Sequence, residues 1–133
     1  MTFQCRELGR IEWRRVGDLS DRPRLVVDGV GRHDVVQGQL GNCWFVAAAS
    51  VLAGVSRLWE RVLPDIVEQD WDYEKPENYC GVFRFLFWRF GSWEEVLVDD
   101  LIPTHDGKPV FTHSRDKDEW WAALMEKAYA KSE

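Results

Sequence analysis

The sequence predicts an α+β fold: a long buried helix, a small antiparallel sheet and a closing amphipathic helix. Three observations predict it. From Trp44 to Leu58 the residues are mostly Ala, Val, Leu and Phe, with one internal glycine, which suits a helix buried on most of its circumference. From Gly81 to Leu101 aromatic and branched residues flank a glycine turn, as two strands of a hairpin do. From Asp116 onward, Trp120, Leu124 and Ala128 recur at the spacing of one helix face.

In chain order, the first twenty residues are mixed polar with no clear period and are expected to be loosely attached, with Ile11-Glu12-Trp13 docking one aromatic on the body. Arg22-Pro23 breaks what precedes it. Leu25-Val26-Val27 reads as a short extended run ending at Asp28-Gly29, a turn signal. The loop from Asp28 to Val36 leads into Gln37 and then the long helix. Near Pro64 the pattern changes, and the charge-rich stretch from Asp65 to Asn78 reads as an exposed connection with one helical turn.

Gly81 to Phe90 places Phe83, Phe85 and Phe87 on one face of a strand and Leu86, Trp88 and Phe90 on the other, which predicts cover on both sides. Gly91-Ser92 is a hairpin signal with glycine first, and Glu95 to Leu101 is the return strand, ended by Pro103. Asp106-Gly107 is a second turn, and Pro109-Val110-Phe111 a third short strand. Asp116-x-x-Glu119 then opens the last helix as a capping-box-like pair. With 133 residues and 45% hydrophobic content, residues 1–133 make one domain with one modest core, without repeats or a linker.

The chemistry concentrates at Gln37-Gly38-Gln39-Leu40-Gly41-Asn42-Cys43-Trp44-Phe45. Asn42 is a good N-cap. Cys43 falls in the first helical turn, where unpaired backbone N–H groups and the positive end of the dipole favour a thiolate over a thiol. Gly38 and Gly41 let the backbone turn tightly beside a ligand. The amide of Gln37, with the Cys43 N–H, would make an oxyanion hole. Taken alone, a free cysteine is most often a small buried hydrophobe, and the local residues leave that reading open.

The segment Gln37 to Ala49, QGQLGNCWFVAAA, resembles the active-site segment of the calpains, calcium-dependent cysteine proteases with a papain-like core. The stretches GVFRFLFWRFGSWEEVLVDDLIPTHDGKPVFTHS (Gly81 to Ser114) and DEWWAALMEKAYAK (Asp118 to Lys131) are similar to calpains in order and spacing. The resemblance covers about Trp13 to Lys131. It implies the N-terminal lobe of a papain-like protease, with Cys43 as nucleophile at the start of the long helix and Gln37 in the oxyanion hole. Many family members have Asp where this chain has Asn42; either residue caps a helix.

The resemblance also implies a calcium site made of the Asp34 and Glu119 side chains and the Val27 and Gly29 carbonyls. Calcium takes about six to eight oxygens, so two carboxylates and two carbonyls with added water make an incomplete cage of sensor-like affinity. Such an ion would tie the loop before Gln37 to the last helix and act as a switch. From spacing alone, Glu119 reads as a capping residue and Asp34 as a surface charge; the resemblance reverses that reading.

A cysteine protease needs a histidine base, oriented by Asn or Asp. His33, His105 and His113 are the candidates, and each reads as a surface or packing residue without such a partner. In calpains the base histidine and its asparagine come from a second lobe, which follows the part this chain resembles. The expectation is therefore a fragment holding the nucleophile half of the site, inactive alone, acting on protein substrates once the second lobe is supplied. The alternative is a non-catalytic calcium- or protein-binding module; intact Gln37 and Cys43 favour the protease.

A net charge of −6 argues against nucleic acid or an anionic membrane as the main partner. No apolar run approaches a membrane span, and MTFQCRELGR lacks a signal-peptide core. Cys5, Cys43 and Cys80 are widely and irregularly spaced, which fits free thiols in a cytoplasmic protein.

Overall fold

A computed structural model of the chain describes residues 10–27, 35–36, 48, 56–110 and 112–132. In order, the elements are β1 (Glu12–Arg15), α1 (Val16–Leu19), β2 (Val35–Val36), α2 (Ser56–Val62), α3 (Ile66–Gln69), a 3-10 turn (Pro76–Asn78), β3 (Val82–Arg89), β4 (Ser92–Asp99), β5 (Leu101–His105), β6 (Lys108–Pro109), β7 (His113–Ser114) and α4 (Trp121–Ser132). Among the described residues the strands form three small antiparallel sheets, ordered β1-β5-β6, β2-β7 and β3-β4. The chain is α+β, with α4 as its closing helix.

α4 forms the centre of the core. Trp121, Ala122, Ala123, Leu124, Met125 and Glu126 are consecutive and all buried, so its first turns are covered around the whole circumference rather than on one face. β3, β4 and β7 pack against it. Phe83 and Phe85 on β3, Val98 on β4, and Trp59, Val62 and Leu63 at the end of α2 fill the space around it. Trp59 meets Trp121 edge-on, with ring centroids 4.7 Å apart. Burying Phe83 and Phe85 contributes about 1.5–3 kcal/mol each.

The predicted cover on both faces of the first long strand is not found. Phe83 and Phe85 are buried, but Val82 and Trp88 on the other face are 42% and 60% exposed. The described residues supply a helical layer on one side of this two-stranded sheet. On the other, Trp88 rests edge-on against its cross-strand neighbour Trp93, 5.5 Å between centroids, the kind of pair that stabilises a sheet without burial.

The turn differs as well. The two-residue loop is Phe90-Gly91, closed by the Arg89–Ser92 pair, and both loop residues have positive φ, 51° and 81°. That is the primed turn matching strand twist, and it shifts the return strand to Ser92–Asp99. Asp106-Gly107 repeats the device at φ 52° and 77°. Pro103 does not end a strand; it lies inside β5 opposite Trp13, and its carbonyl accepts the Val110 N–H at 3.1 Å. The chain changes sheets at Asp100. This buried residue takes Arg15 Nη1 at 2.6 Å and the Tyr79 hydroxyl at 2.7 Å on its carboxylate, and the Val16 N–H at 2.9 Å on its carbonyl.

Residues 12–20 have specific partners: β1 pairs along β5, and Val16 is fully buried. Lys127 Nζ sits 5.5 Å from the Trp13 ring centroid. The connection from Asp65 to Asn78 contains the expected helical turn, and Gln69 from it completes the edge of β3, its amide accepting the Arg84 N–H and donating to the Arg84 carbonyl. Of the long helix predicted from Trp44, Ala48 is helical, and α2 extends beyond Leu58 to Val62; the rest lies outside the described residues. Leu58 is 49% exposed while Trp59 and Val62 are buried, so this end is buried on one side only. No helix among the described residues is long and apolar enough to cross a membrane.

Candidate functional site

Of the six predicted site residues, Val27 and Glu119 are among the described residues; Gly29, Asp34, Gln37 and Cys43 lie outside them, as does His33. The segment Arg24–Val27 runs parallel to residues 118–121. Arg24 N–H donates to the Asp118 carbonyl (2.7 Å), and the Arg24 and Leu25 carbonyls accept the N–H groups of Trp120 (2.9 Å) and Trp121 (3.1 Å). Glu119 extends this ladder with its side chain: Oε2 accepts the Val27 N–H at 2.7 Å, and Oε1 accepts the Ser114 hydroxyl.

Glu119 is therefore not a capping residue inside the last helix. It precedes α4, and Asp116 makes a local turn, its Oδ1 accepting the Asp118 N–H at 2.9 Å and its carbonyl the Glu119 N–H at 3.1 Å. The side chain of Glu119 is turned inward, 4% exposed, because a carboxylate held by two donors tolerates burial.

Ser114 and His113 form β7, which pairs with Val35 and Val36. This places the residues directly before Gln37 against the strand that Glu119 holds. A cavity of about 260 Å³ opens here, lined by Leu19, Pro109, His113, Ser114, Glu119 and Trp120, with room for several waters. The donors fit calcium in kind: Glu119 is a hard carboxylate beside Val27 and a space that admits water, and Asp34 adjoins β2 in sequence. No group of three metal-ligating side chains occurs among the described residues; the set implied by the resemblance has two carboxylates, one of them outside that range.

Of the histidines, His105 has an acid beside it after all, with Nε2 3.3 Å from the Asp106 carboxylate and Nδ1 3.2 Å from the Arg10 carbonyl. Asp106 is 87% exposed, so this is a surface pair, unlike the buried partner that orients a catalytic imidazole. His113 is half-buried within β7. Cys80 is exposed and free.

Sequence reasoning missed the clamps on β7: Ser114 to Glu119, and Thr112 to Glu126, whose carboxylate accepts the Thr112 N–H at 2.9 Å and its hydroxyl at 3.2 Å. Glu126 carried a signal, since a charge inside the run WWAALMEKA must find a partner if the helix is buried all round. Thr112 and Ser114 carried none.

The residues that lead into QGQLGNCW, Val35 and Val36, pair with β7, and β7 packs against α4 within an α+β unit. A family model described as calpain family cysteine protease matches residues 2–133, and the chain belongs to that family. Mouse calpain-5 is 54% identical over 121 residues, which cover 91% of this chain and 19% of that protein. Calpain-5 of Caenorhabditis elegans is 49% identical over 129 residues, 97% of this chain and 20% of the relative. Calpain-B of Drosophila melanogaster is 49% identical over 120 residues, 90% of this chain and 12% of the relative. The chain thus spans about a fifth or less of the length of these curated relatives.

Proposed function

We propose that this chain is the nucleophile-bearing lobe of a calcium-dependent cysteine endopeptidase of calpain type. The family match, which takes in the whole Gln37 to Ala49 segment, is the observation that carries the reading. Cys43 attacks the peptide carbonyl as thiolate: the S–C bond forms, and the carbonyl electron pair moves to oxygen. The Gln37 amide and the Cys43 N–H hold that oxyanion. Collapse expels the amine, protonated by a histidine, and water then hydrolyses the thioester.

Asp34, Glu119 and the Val27 and Gly29 carbonyls would hold calcium, which supplies a positive charge linking the loop before Gln37 to the segment before α4. The Val27–Glu119 hydrogen bond and the β2–β7 pairing support this part. Neither His105, paired on the surface, nor His113, within β7, is placed here as the base; a second lobe like that of the family supplies it, and without it the 133 residues turn over no peptide. Protein substrates and a cytosolic setting belong to the same reading.

Limiting iodoacetamide followed by peptide mapping tests it. Cys43 is expected to be labelled before Cys5 and Cys80, with no hydrolysis of a fluorogenic peptide by the chain alone. Preferential labelling of Cys5 or Cys80 would remove the nucleophile assignment, and turnover lost in Cys43→Ala would show that one of the three histidines, or another chain, supplies the base.

A further inference from the structure

β7 has two residues, and a ladder that short has little stability of its own. Yet a buried carboxylate holds each end. Glu126, 1% exposed, accepts the Thr112 N–H at Oε2 and the Thr112 hydroxyl at Oε1; Glu119, 4% exposed, accepts the Ser114 hydroxyl. Ala122, Ala123 and Met125 around Glu126 on α4 are apolar, and a carboxylate is costly in such a setting unless it is hydrogen-bonded. Its two bonds to Thr112 secure the position of that residue, and through the chain that of His113 and Ser114. These pair with Val36 and Val35, and the residue after Val36 is Gln37. A slip of one residue in that pairing would reverse every side chain beyond it.

We propose that Thr112 and Glu126 are positioning residues for the strand from which the chain enters Gln37: their clasp fixes β7, and β7 fixes the register of Val35–Val36. The proposal rests on the roles given above to Gln37 and Cys43.

Two electrophiles separate positioning from folding in the full 133-residue chain. Iodoacetamide alkylates Cys43 by forming an S–C bond as iodide leaves, and no oxyanion develops. A dipeptidyl aldehyde labelled with carbon-13 at the carbonyl adds reversibly. Its S–C bond forms, the carbonyl electron pair moves to oxygen, and that oxygen takes the thiol proton. The resulting hemithioacetal oxygen sits where Gln37 donates.

Gln37→Ala is expected to weaken the aldehyde adduct about tenfold, the loss of one hydrogen bond, with the iodoacetamide rate unchanged. Thr112→Val and Glu126→Gln, both close in shape to the native residue, should reproduce that split. They should also raise amide exchange in β2 and β7 but not in β3 and β4, and Thr112→Ser should restore native values. If Gln37→Ala weakens the adduct and the clasp variants do not, the positioning role is wrong. It is equally wrong if the clasp variants lower both reactions together, since that is a folding effect. An adduct indifferent to Gln37→Ala would overturn the oxyanion assignment itself.

Discussion

The Glu119 carboxylate accepts the N–H of Val27, 92 residues earlier in the chain, at 2.7 Å. It continues with a side chain the ladder that Arg24 and Leu25 begin with backbone groups. The same carboxylate takes the Ser114 hydroxyl, so one buried residue joins the early extended run, β7 and the approach to α4.

That junction has a stability consequence that does not depend on any ion. Glu119→Ala leaves the half-buried Val27 N–H and the buried Ser114 hydroxyl without this acceptor and is expected to cost about 1–3 kcal/mol. Urea unfolding without calcium measures it as a lower midpoint with an unchanged slope. Glu119→Gln, which keeps one acceptor oxygen, should lose less.

Acid sensitivity should have a component from Asp99. Burial pushes its carboxyl up, but the Lys127 hydrogen bond, the Leu101 N–H at 3.1 Å and the charges of Lys127 and Arg15 outweigh that and hold it below the usual carboxylate range. A carboxyl lowered in the folded state contributes stability that is present above its unfolded value, about 3.9, and lost as pH falls through the folded one. The urea midpoint of Asp99→Asn should therefore lie below that of the parent at pH 7, and the gap should narrow as pH falls below about 3.9. A gap of constant size would remove the ion-pair explanation.

Phe90 occupies the first position of a primed turn at φ 51° and is 97% exposed. A bulky residue in the left-handed region is strained, whereas Asn adopts it readily. Phe90→Asn is expected to stabilise the chain by roughly 0.5–1 kcal/mol, read as a higher midpoint in urea. A loss of stability would show that the ring has a contact to lose.

Much of the architecture was legible from the residues. The closing helix, both glycine turns and the buried Phe83 and Phe85 follow from local pattern. What pattern could not give was which side of the hairpin the helices cover, because Leu86, Trp88 and Phe90 are as apolar as the phenylalanines that face α4. The turn was shifted by one residue because Gly91 fits the second position of a primed turn as well as the first, and Phe90 is an unusual companion. Pro103 read as a terminator, yet β5 needs only its carbonyl there. At the site, Glu119 looked like a helix cap because its partners, Val27 and Ser114, are brought to it by tertiary structure alone.

A calcium titration of intrinsic tryptophan fluorescence tests most directly the claim that this is a calcium-responsive protease lobe. Trp120 follows Glu119 and lines the cavity beside it, so an ion held by Glu119 should alter its emission. The expected midpoint lies between about micromolar and millimolar, with magnesium a poor substitute because it demands tighter octahedral geometry. Asp34→Ala and Glu119→Ala should each abolish the response, and the double variant should be no worse than either, as for residues acting on one ion. The contrary result is a parent chain whose emission does not titrate, or a Glu119→Ala variant destabilised equally with and without calcium while Asp34→Ala changes nothing. Either would mean that Glu119 serves only its hydrogen bonds to Val27 and Ser114.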